Sequence, residues 1–185
     1  MYLWWGNLDG MKRKCKDCKD SLVTMTEMVL PNDTNTLNNL MGGRLMHWMD
    51  IVSAISAQRH SNSVVVTASV DNISFSKPIP LGNVVTLEAF VTRAFKSSME
   101  VFITVKAEDI PDDKKVGTHT AFFTFVAVDQ NGQPKIVPDL IPKTEKEHKY
   151  YAGALRRRQL RLLLGGRIKI DKATELKDYI NEQNP

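Results

Sequence analysis

One aspartate stands inside a segment whose apolar residues recur at helical spacing. Leu45, Trp48, Met49, Val52 and Ile55 fall three and four apart, so the segment reaching about His60 is predicted to be a helix with a core-facing stripe. Gly43, Met46, Asp50, Ala54 and Ala57 form a second stripe, mostly of small residues. Asp50 is flanked by Met49 and Ile51, and a carboxylate is rarely enclosed by such neighbours unless it is paired or used. Two readings are open: an aspartate solvated at a gap in the stripe, or a general base whose pKa an apolar pocket raises. Gly42-Gly43 opens the same helix. Glycine there lets a ligand approach unpaired N–H groups, where the helix dipole adds about half a positive charge. That combination polarises a carbonyl as an oxyanion hole does. The plainer reading is that the glycines allow the turn. Gly43 and Asp50 are separated by seven positions, two helical turns, hence ~10 Å along the axis at ~1.5 Å per residue. One water and one carbonyl fill that gap loosely. A site is easier to build if one subunit supplies the N–H groups and another the carboxylate.

Other chemistries leave little trace. No Gly-x-Ser-x-Gly elbow, dinucleotide fingerprint or Walker phosphate loop occurs. His47, His60, His119 and His148 are scattered, and no pair has metal-ligand spacing on a helix. Cys15 and Cys18 have zinc-knuckle or redox spacing, but no second pair completes a closed site, so they are read as inert thiols. The chain is expected to need no cofactor and no metal. Its 185 residues fit one domain with appendages. At 42% hydrophobic and 25% charged residues it matches ordinary globular proteins, which excludes disorder as the whole account. No run approaches the ~20 apolar residues of a membrane span. A net charge of +4 is too mild to argue for nucleic acid. The order of Met1–Trp5 and Lys12–Lys19, apolar before basic, is the reverse of a secretory signal, so a cytoplasmic location is expected.

The elements that must position Asp50 follow from a change of period. Residues 1–20 read as a basic, flexible leader. Ser21–Leu30 has strand character and ends at Pro31. After His60 the period falls from 3.6 to 2: Val64–Asp71, Val85–Thr92 and Ser98–Val105 alternate as half-buried antiparallel strands. Thr118–Val128 is apolar on both phases and is predicted to be a central strand. Residues 21–130 therefore make one α+β domain, a long helix wrapped by a five-stranded antiparallel sheet. Residues 131–185 add a connection, a helix over Thr144–Leu164 that is basic towards its end, and a polar tail. One sheet covers only one side of a helix that is apolar on most of its circumference, so an obligate homo-oligomer is predicted.

The residues also carry a resemblance. Pro31-Asn-Asp-Thr-Asn35, Met41-Gly-Gly43-Arg-Leu-Met-His-Trp-Met-Asp50, Arg59-His60, Val65-Val-Thr67-Ala-Ser-Val-Asp71, Phe75-Ser-Lys-Pro-Ile79 and Ser97-Ser-Met-Glu-Val101 follow one another in order. The set resembles hotdog-fold acyl-CoA thioesterases of the cytosolic acyl-CoA hydrolase type, over about Thr24 to Val128. The resemblance implies hydrolysis of fatty acyl-CoA to free fatty acid and CoA, with coenzyme A entering only as part of the substrate. It implies that Asp50 activates water, that Asn35 of the partner subunit positions the water or thioester, and that the N–H groups of Gly42 and Gly43 hold the thioester oxygen. It places CoA contacts at Arg93, Lys96, Ser97 and Ser98, with Arg156, Arg157, Arg158 and Arg161 as a second group read mainly as solvated or intersubunit charges. It implies dimers, often three of them in a hexamer. Where the family has Leu-Gly ahead of the glycine pair, this chain has Leu37-Asn38, and a different bend is expected there. Two other readings compete. A hydratase would use His47 with Asp50 at i and i+3, and a non-catalytic acyl-CoA sensor would use its basic leader on nucleic acid.

Overall fold

Alternation over the predicted runs produces the sheet. In the computed structural model, which describes residues 13–71, 73 and 77–183, the order is β1 (Cys15–Asp17), β2 (Val23–Met28), α1 (Gly42–Ser61), β3 (Val64–Asp71), β4 (Val84–Ala94), β5 (Ser98–Asp109), β6 (Lys114–Val128), β7 (Asp139–Ile141), α2 (Glu145–Leu164) and α3 (Thr174–Gln183). Five strands pair antiparallel in the order β2-β4-β5-β6-β3, leaving β2 and β3 as the edges. One phase of each central strand (Leu87, Val101, Ile103, Phe123 and Phe125 among them) is essentially inaccessible to water and packs with Leu45, Trp48, Met49 and Val52 of α1. This is the hotdog arrangement, a long helix wrapped by its sheet. Strands β5 and β6 run further than predicted, to Asp109 and from Lys114.

Two details of α1 differ from the pattern. Ile55, predicted in the core stripe, is 39% exposed, because the buried arc is centred on Met49, Val52 and Ser56 rather than on the Ile51–Ile55 side. Ala57, placed in the second stripe, is fully buried.

The other face of the sheet is covered by α2. Phe90, Phe102 and Phe122 project from β4, β5 and β6 and meet Tyr150, with Phe102 and Tyr150 ring centroids 4.5 Å apart. Thr144 caps α2 by accepting from the Glu147 N–H, and Glu147 accepts in return from the Thr144 N–H. Arg157 lies across the Phe122 ring and makes two hydrogen bonds to Glu100, at 3.0 and 2.7 Å. Glu100 is fully buried and also accepts from the Thr92 hydroxyl.

Residues 13–20, assigned to a flexible leader on their charge, are held in place; residues 1–12 lie outside the described residues. Strand β1 pairs parallel with β7, Arg13 bonds to Asp139, and Lys143 bonds to Asp17. The basic side chains find acidic and carbonyl partners far along the chain, which local composition does not reveal. Cys18 is 3% exposed, and burial, with the nearby Glu147 charge second, pushes its thiol up to about 12. A thiol so protonated is a poor nucleophile. Among the described residues no three His, Cys, Asp or Glu converge to hold a metal, and no helix is long and apolar enough to cross a membrane.

His60, at the end of α1, is fully buried, with Nε2 2.9 Å from the Pro138 carbonyl and Nδ1 without a hydrogen-bond partner among the described residues. Nε2 must carry the proton to bond that carbonyl, so a second proton on Nδ1 would be a buried donor with nothing to meet. Burial first, and then the Lys16 charge, lower the His60 pKa; the bond to Pro138 and the charges of Asp20 and Asp139 oppose them. The unfolded chain takes up this proton near pH ~6.5, whereas the native chain does so only at lower pH. Stability is therefore expected to fall as pH drops below ~6.5. Thermal midpoints at pH 7.5 and 5.5 check this: the wild type should lose more on acidification than His60→Gln, and equal losses would show that His60 does not drive the dependence.

Candidate active site

The site begins with the edge strand. β3 and β6 slip register between Thr67 and Ser69, where Thr67 faces Phe125 and Ser69 faces Thr124. The bulge keeps Thr67 on the α1 side and turns Ser69 to the α2 side. The Thr67 hydroxyl donates to Asp50 Oδ1 at 2.8 Å. Asp50 is half-buried, and its other carboxylate oxygen has no hydrogen bond among the described residues. Beside it Met46 and Ile51 are 39% and 38% exposed, so the apolar enclosure expected of Asp50 is incomplete within one chain. His47 is exposed and is not the partner of Asp50; the carboxylate bond goes to Thr67.

The loop before α1 is built around two side chains. Asp33 is buried, accepts from the Leu30 N–H and pairs with Arg44 at 2.7 Å, while its carbonyl accepts from the Met41 N–H. These bonds fix where α1 starts. Asn35 is exposed; its Oδ1 accepts from the N–H groups of Leu37 and Asn39 and closes the turn, which leaves its NH₂ pointing away from those bonds. Asn38 takes a left-handed φ of 55°, the conformation glycine would favour. Asparagine tolerates it, so the exchange of Gly for Asn38 by itself imposes no new bend. At the helix start Met41 offers no side-chain cap, and the first N–H groups bonded are those of Arg44 and Leu45, both to the Met41 carbonyl. Gly42 and Gly43 carry the N–H groups a helix start leaves over. A Cβ on Gly43 would touch nothing within 4 Å, so packing within the chain does not demand glycine there.

The four CoA-contact candidates lie around the β4–β5 turn with different partners. Arg93 donates to the Tyr151 carbonyl and stacks over the Tyr151 ring at 4.3 Å, so it is engaged in seating α2. Lys96 is exposed at the β4–β5 turn, Ser97 is half-buried, and Ser98 is buried with its hydroxyl accepting from Arg158. The α2 arginines, read as mainly solvated or intersubunit, are mostly bound within the chain: Arg157 to Glu100, Arg161 to Asp71 through two bonds, and Arg156 over the Tyr179 ring. Composition and spacing assign no role to Thr67 or to the Asp33–Arg44 pair. Both lie in the motifs of the family resemblance, but their partners are set by register and loop closure.

A long helix wrapped by a five-stranded antiparallel sheet is the hotdog fold. A model of the Thioesterase superfamily matches residues 37–113. An uncharacterized acyl-CoA thioester hydrolase of Bacillus subtilis, YkhA, is 44% identical over 140 residues, 76% of this chain and 81% of that protein. A crystal structure of an apo-hexameric acyl-CoA thioesterase superposes with a TM-score of 0.77 at 37% identity, over 80% of this chain and 95% of that one. The acyl-CoA hydrolase of Staphylococcus aureus, solved with butyryl-CoA, CoA and CoA disulfide, gives 0.74 at 33% identity over 92% and 99%. Variants of that enzyme with an Asp, an Asn or a Thr replaced by Ala have also been solved, the Asn variant with CoA bound. The chain belongs to the hotdog-fold acyl-CoA thioesterases and is a thioester hydrolase.

Proposed function

We propose that the enzyme hydrolyses fatty acyl-CoA to free fatty acid and CoA with Asp50 as general base, at a site shared between two subunits. The Asp50–Thr67 bond carries this reading, since it fixes one carboxylate oxygen and leaves the other for water. In the reaction, water attacks the thioester carbon while Asp50 accepts its proton. The tetrahedral oxyanion is held by N–H groups at Gly42 and Gly43. The C–S bond then breaks, and the CoA sulfur leaves as thiolate and takes up the proton that Asp50 accepted, which restores the carboxylate. Asn35 of the partner subunit orients the water or thioester with its amide NH₂. The Asp, Asn and Thr altered in the Staphylococcus aureus enzyme are the residue types of Asp50, Asn35 and Thr67, which supports giving these three to one site.

Assembly follows from the same edge. Among the described residues strand β3 pairs with no strand on its outer side, and Val64 and Val66 are 66% and 49% exposed. A second copy meeting this edge covers them and completes the enclosure of Asp50, and three such dimers make a hexamer. Sedimentation should give a species of at least twice the 20.9 kDa chain mass; a stable monomer at micromolar concentration contradicts the shared site.

Thiol release from acyl-CoAs of increasing chain length tests the activity and sets its chain preference. Hydration of a crotonyl-type CoA without thiol release would instead favour the His47 hydratase reading. Asp50→Asn and Asn35→Ala, unfolded and refolded together, should recover activity through interfaces that carry one intact site. Confirmed hybrids that stay inactive contradict the shared site.

A further inference from the structure

The loop that carries Asn35 and the helix start that carries Gly42 and Gly43 are joined through one buried carboxylate. Asp33 Oδ2 accepts from the Leu30 N–H at 3.1 Å, Oδ1 accepts from Arg44 Nε at 2.7 Å, and the Asp33 carbonyl accepts from the Met41 N–H at 2.9 Å. Met41 caps α1 and Arg44 lies in its first turn. Two of the three bonds therefore reach across the loop to the start of the helix. Beyond Asp33 the loop closes on itself. Thr34 bridges to Leu40, the Asn35 N–H donates to the Asn39 carbonyl at 2.8 Å, and Asn35 Oδ1 takes the N–H groups of Leu37 and Asn39. Asn35 is thus set in a small closed turn, and Asp33 sets where that turn stands relative to α1.

Helix stability does not ask for this arrangement. A cation in the first turn opposes the helix dipole, and α1 has no acidic residue there to offset Arg44. The compensating charge comes from the loop, through a charge-assisted bond of the stronger kind. The guanidinium also lies 5.6 Å from the centroid of the Trp48 ring, one turn further on, and Trp48 is buried. The loop has other anchors: the Leu40 N–H donates to the Ile79 carbonyl at 2.7 Å, and the Leu81 N–H to the Asn38 carbonyl at 2.9 Å. Those bonds run to residues 79–81 and hold the loop in the fold. The Asp33–Arg44 pair adds a defined separation between Asn35 and the N–H groups of Gly42 and Gly43.

We infer that Asp33 and Arg44 are positioning residues, which hold the Asn35 amide in register with the Gly42 and Gly43 N–H groups so that one subunit presents them as a single half-site. Asp50 and Thr67 of the other subunit form the complementary half. The inference rests on the shared-site reading. A displacement of about 1 Å costs on the order of a hundredfold in rate, so the pair acts on turnover rather than on the grip on CoA.

Arg44→Gln is the direct test, because its side chain is 44% exposed and its loss leaves the main-chain bonds of the loop in place. It should lower kcat by about tenfold or more, shift KM for acyl-CoA by less than about threefold, and leave the oligomer intact. Arg44→Lys keeps a charge beside Asp33 and should recover much of kcat. Asp33→Asn should repeat the kcat loss; if it does not fold, the Arg44 variants carry the test. Refolded mixtures then locate the effect. Arg44→Gln with Asp50→Asn should regain activity well above either alone, since each hybrid dimer holds one site with both halves intact. Arg44→Gln with Asn35→Ala should regain none, since both damage the same half. A variant that is merely less stable would not choose between these partners. Wild-type kcat in Arg44→Gln, a KM that rises as much as kcat falls, or recovery with Asn35→Ala overturns the inference. If confirmed hybrids of Asn35→Ala and Asp50→Asn stay inactive, the shared site falls instead, and the split between kcat and KM with the Arg44→Lys rescue still decides whether the pair positions Asn35.

Discussion

Asp50→Asn is expected to lower kcat for acyl-CoA hydrolysis at least a hundredfold, the lower end of the ~10²–10⁴ a general base contributes. The change is narrow. Asparagine has the size of aspartate, and its amide oxygen still accepts from the Thr67 hydroxyl that reaches Asp50 Oδ1 at 2.8 Å. What disappears is the capacity to take a proton from water. The oligomer and the thermal midpoint should persist, since Asp50 is only half-buried and makes no other side-chain hydrogen bond or ion pair among the described residues. Asn35→Ala should cost less, because that residue orients rather than accepts a proton. Thr67→Val should also cost less, since it frees the carboxylate to rotate but leaves it in place. An Asp50→Asn enzyme with near-wild-type kcat would return Asp50 to the plainer reading, an aspartate solvated at a gap in an apolar stripe.

The second large effect is on stability. Arg157→Met should destabilise the fold by about 3–5 kcal/mol, because it strands the charge of Glu100, which is fully buried and keeps only the Thr92 hydroxyl. The expected fall in thermal midpoint is on the order of 10 °C for a chain of this length. Glu100→Met in the same chain should recover most of the loss, since a buried ion pair replaced on both sides by apolar groups is often neutral or stabilising. A single variant within about 2 °C of wild type would show that Glu100 finds water or another partner when Arg157 is gone.

These two residues also mark what the sequence displays and what it conceals. Asp50 is legible because it interrupts an apolar helical stripe, and such an interruption is a local pattern. The strands are legible for the same reason, since a period of two survives in Val64–Asp71 or Ser98–Val105 whatever lies next to them. Arg157 is not. Its partner Glu100 is 57 positions away, and the partner of Arg161, Asp71, is 90 away. A run of arginines on a helix looks solvated until the strand beneath it is known. Thr67 is hidden by a different cause. Simple alternation along β3 would put Thr67 and Ser69 on one face, and only the bulge between them sends one to Asp50 and the other to the α2 side. The ordered motifs point to the candidate site through likeness to a family. Which atoms meet there depends on register, which no single segment encodes.

The clasp between β1 and β7 has a consequence for synthesis. Cys15–Asp17 is made early, yet its partner Asp139–Ile141 emerges more than a hundred residues later. At translation rates of about 5–20 residues per second, the amino-terminal segment waits roughly 6–25 s for its strand. Glu147, whose charge is the second cause of the raised Cys18 thiol, is made later still, so Cys18 reaches its final environment only after the clasp can close. Oxidation or alkylation in that window would leave a bulky group where the finished core admits none. The amino-terminal segment therefore reaches its final chemical state only after the start of α2 has been made.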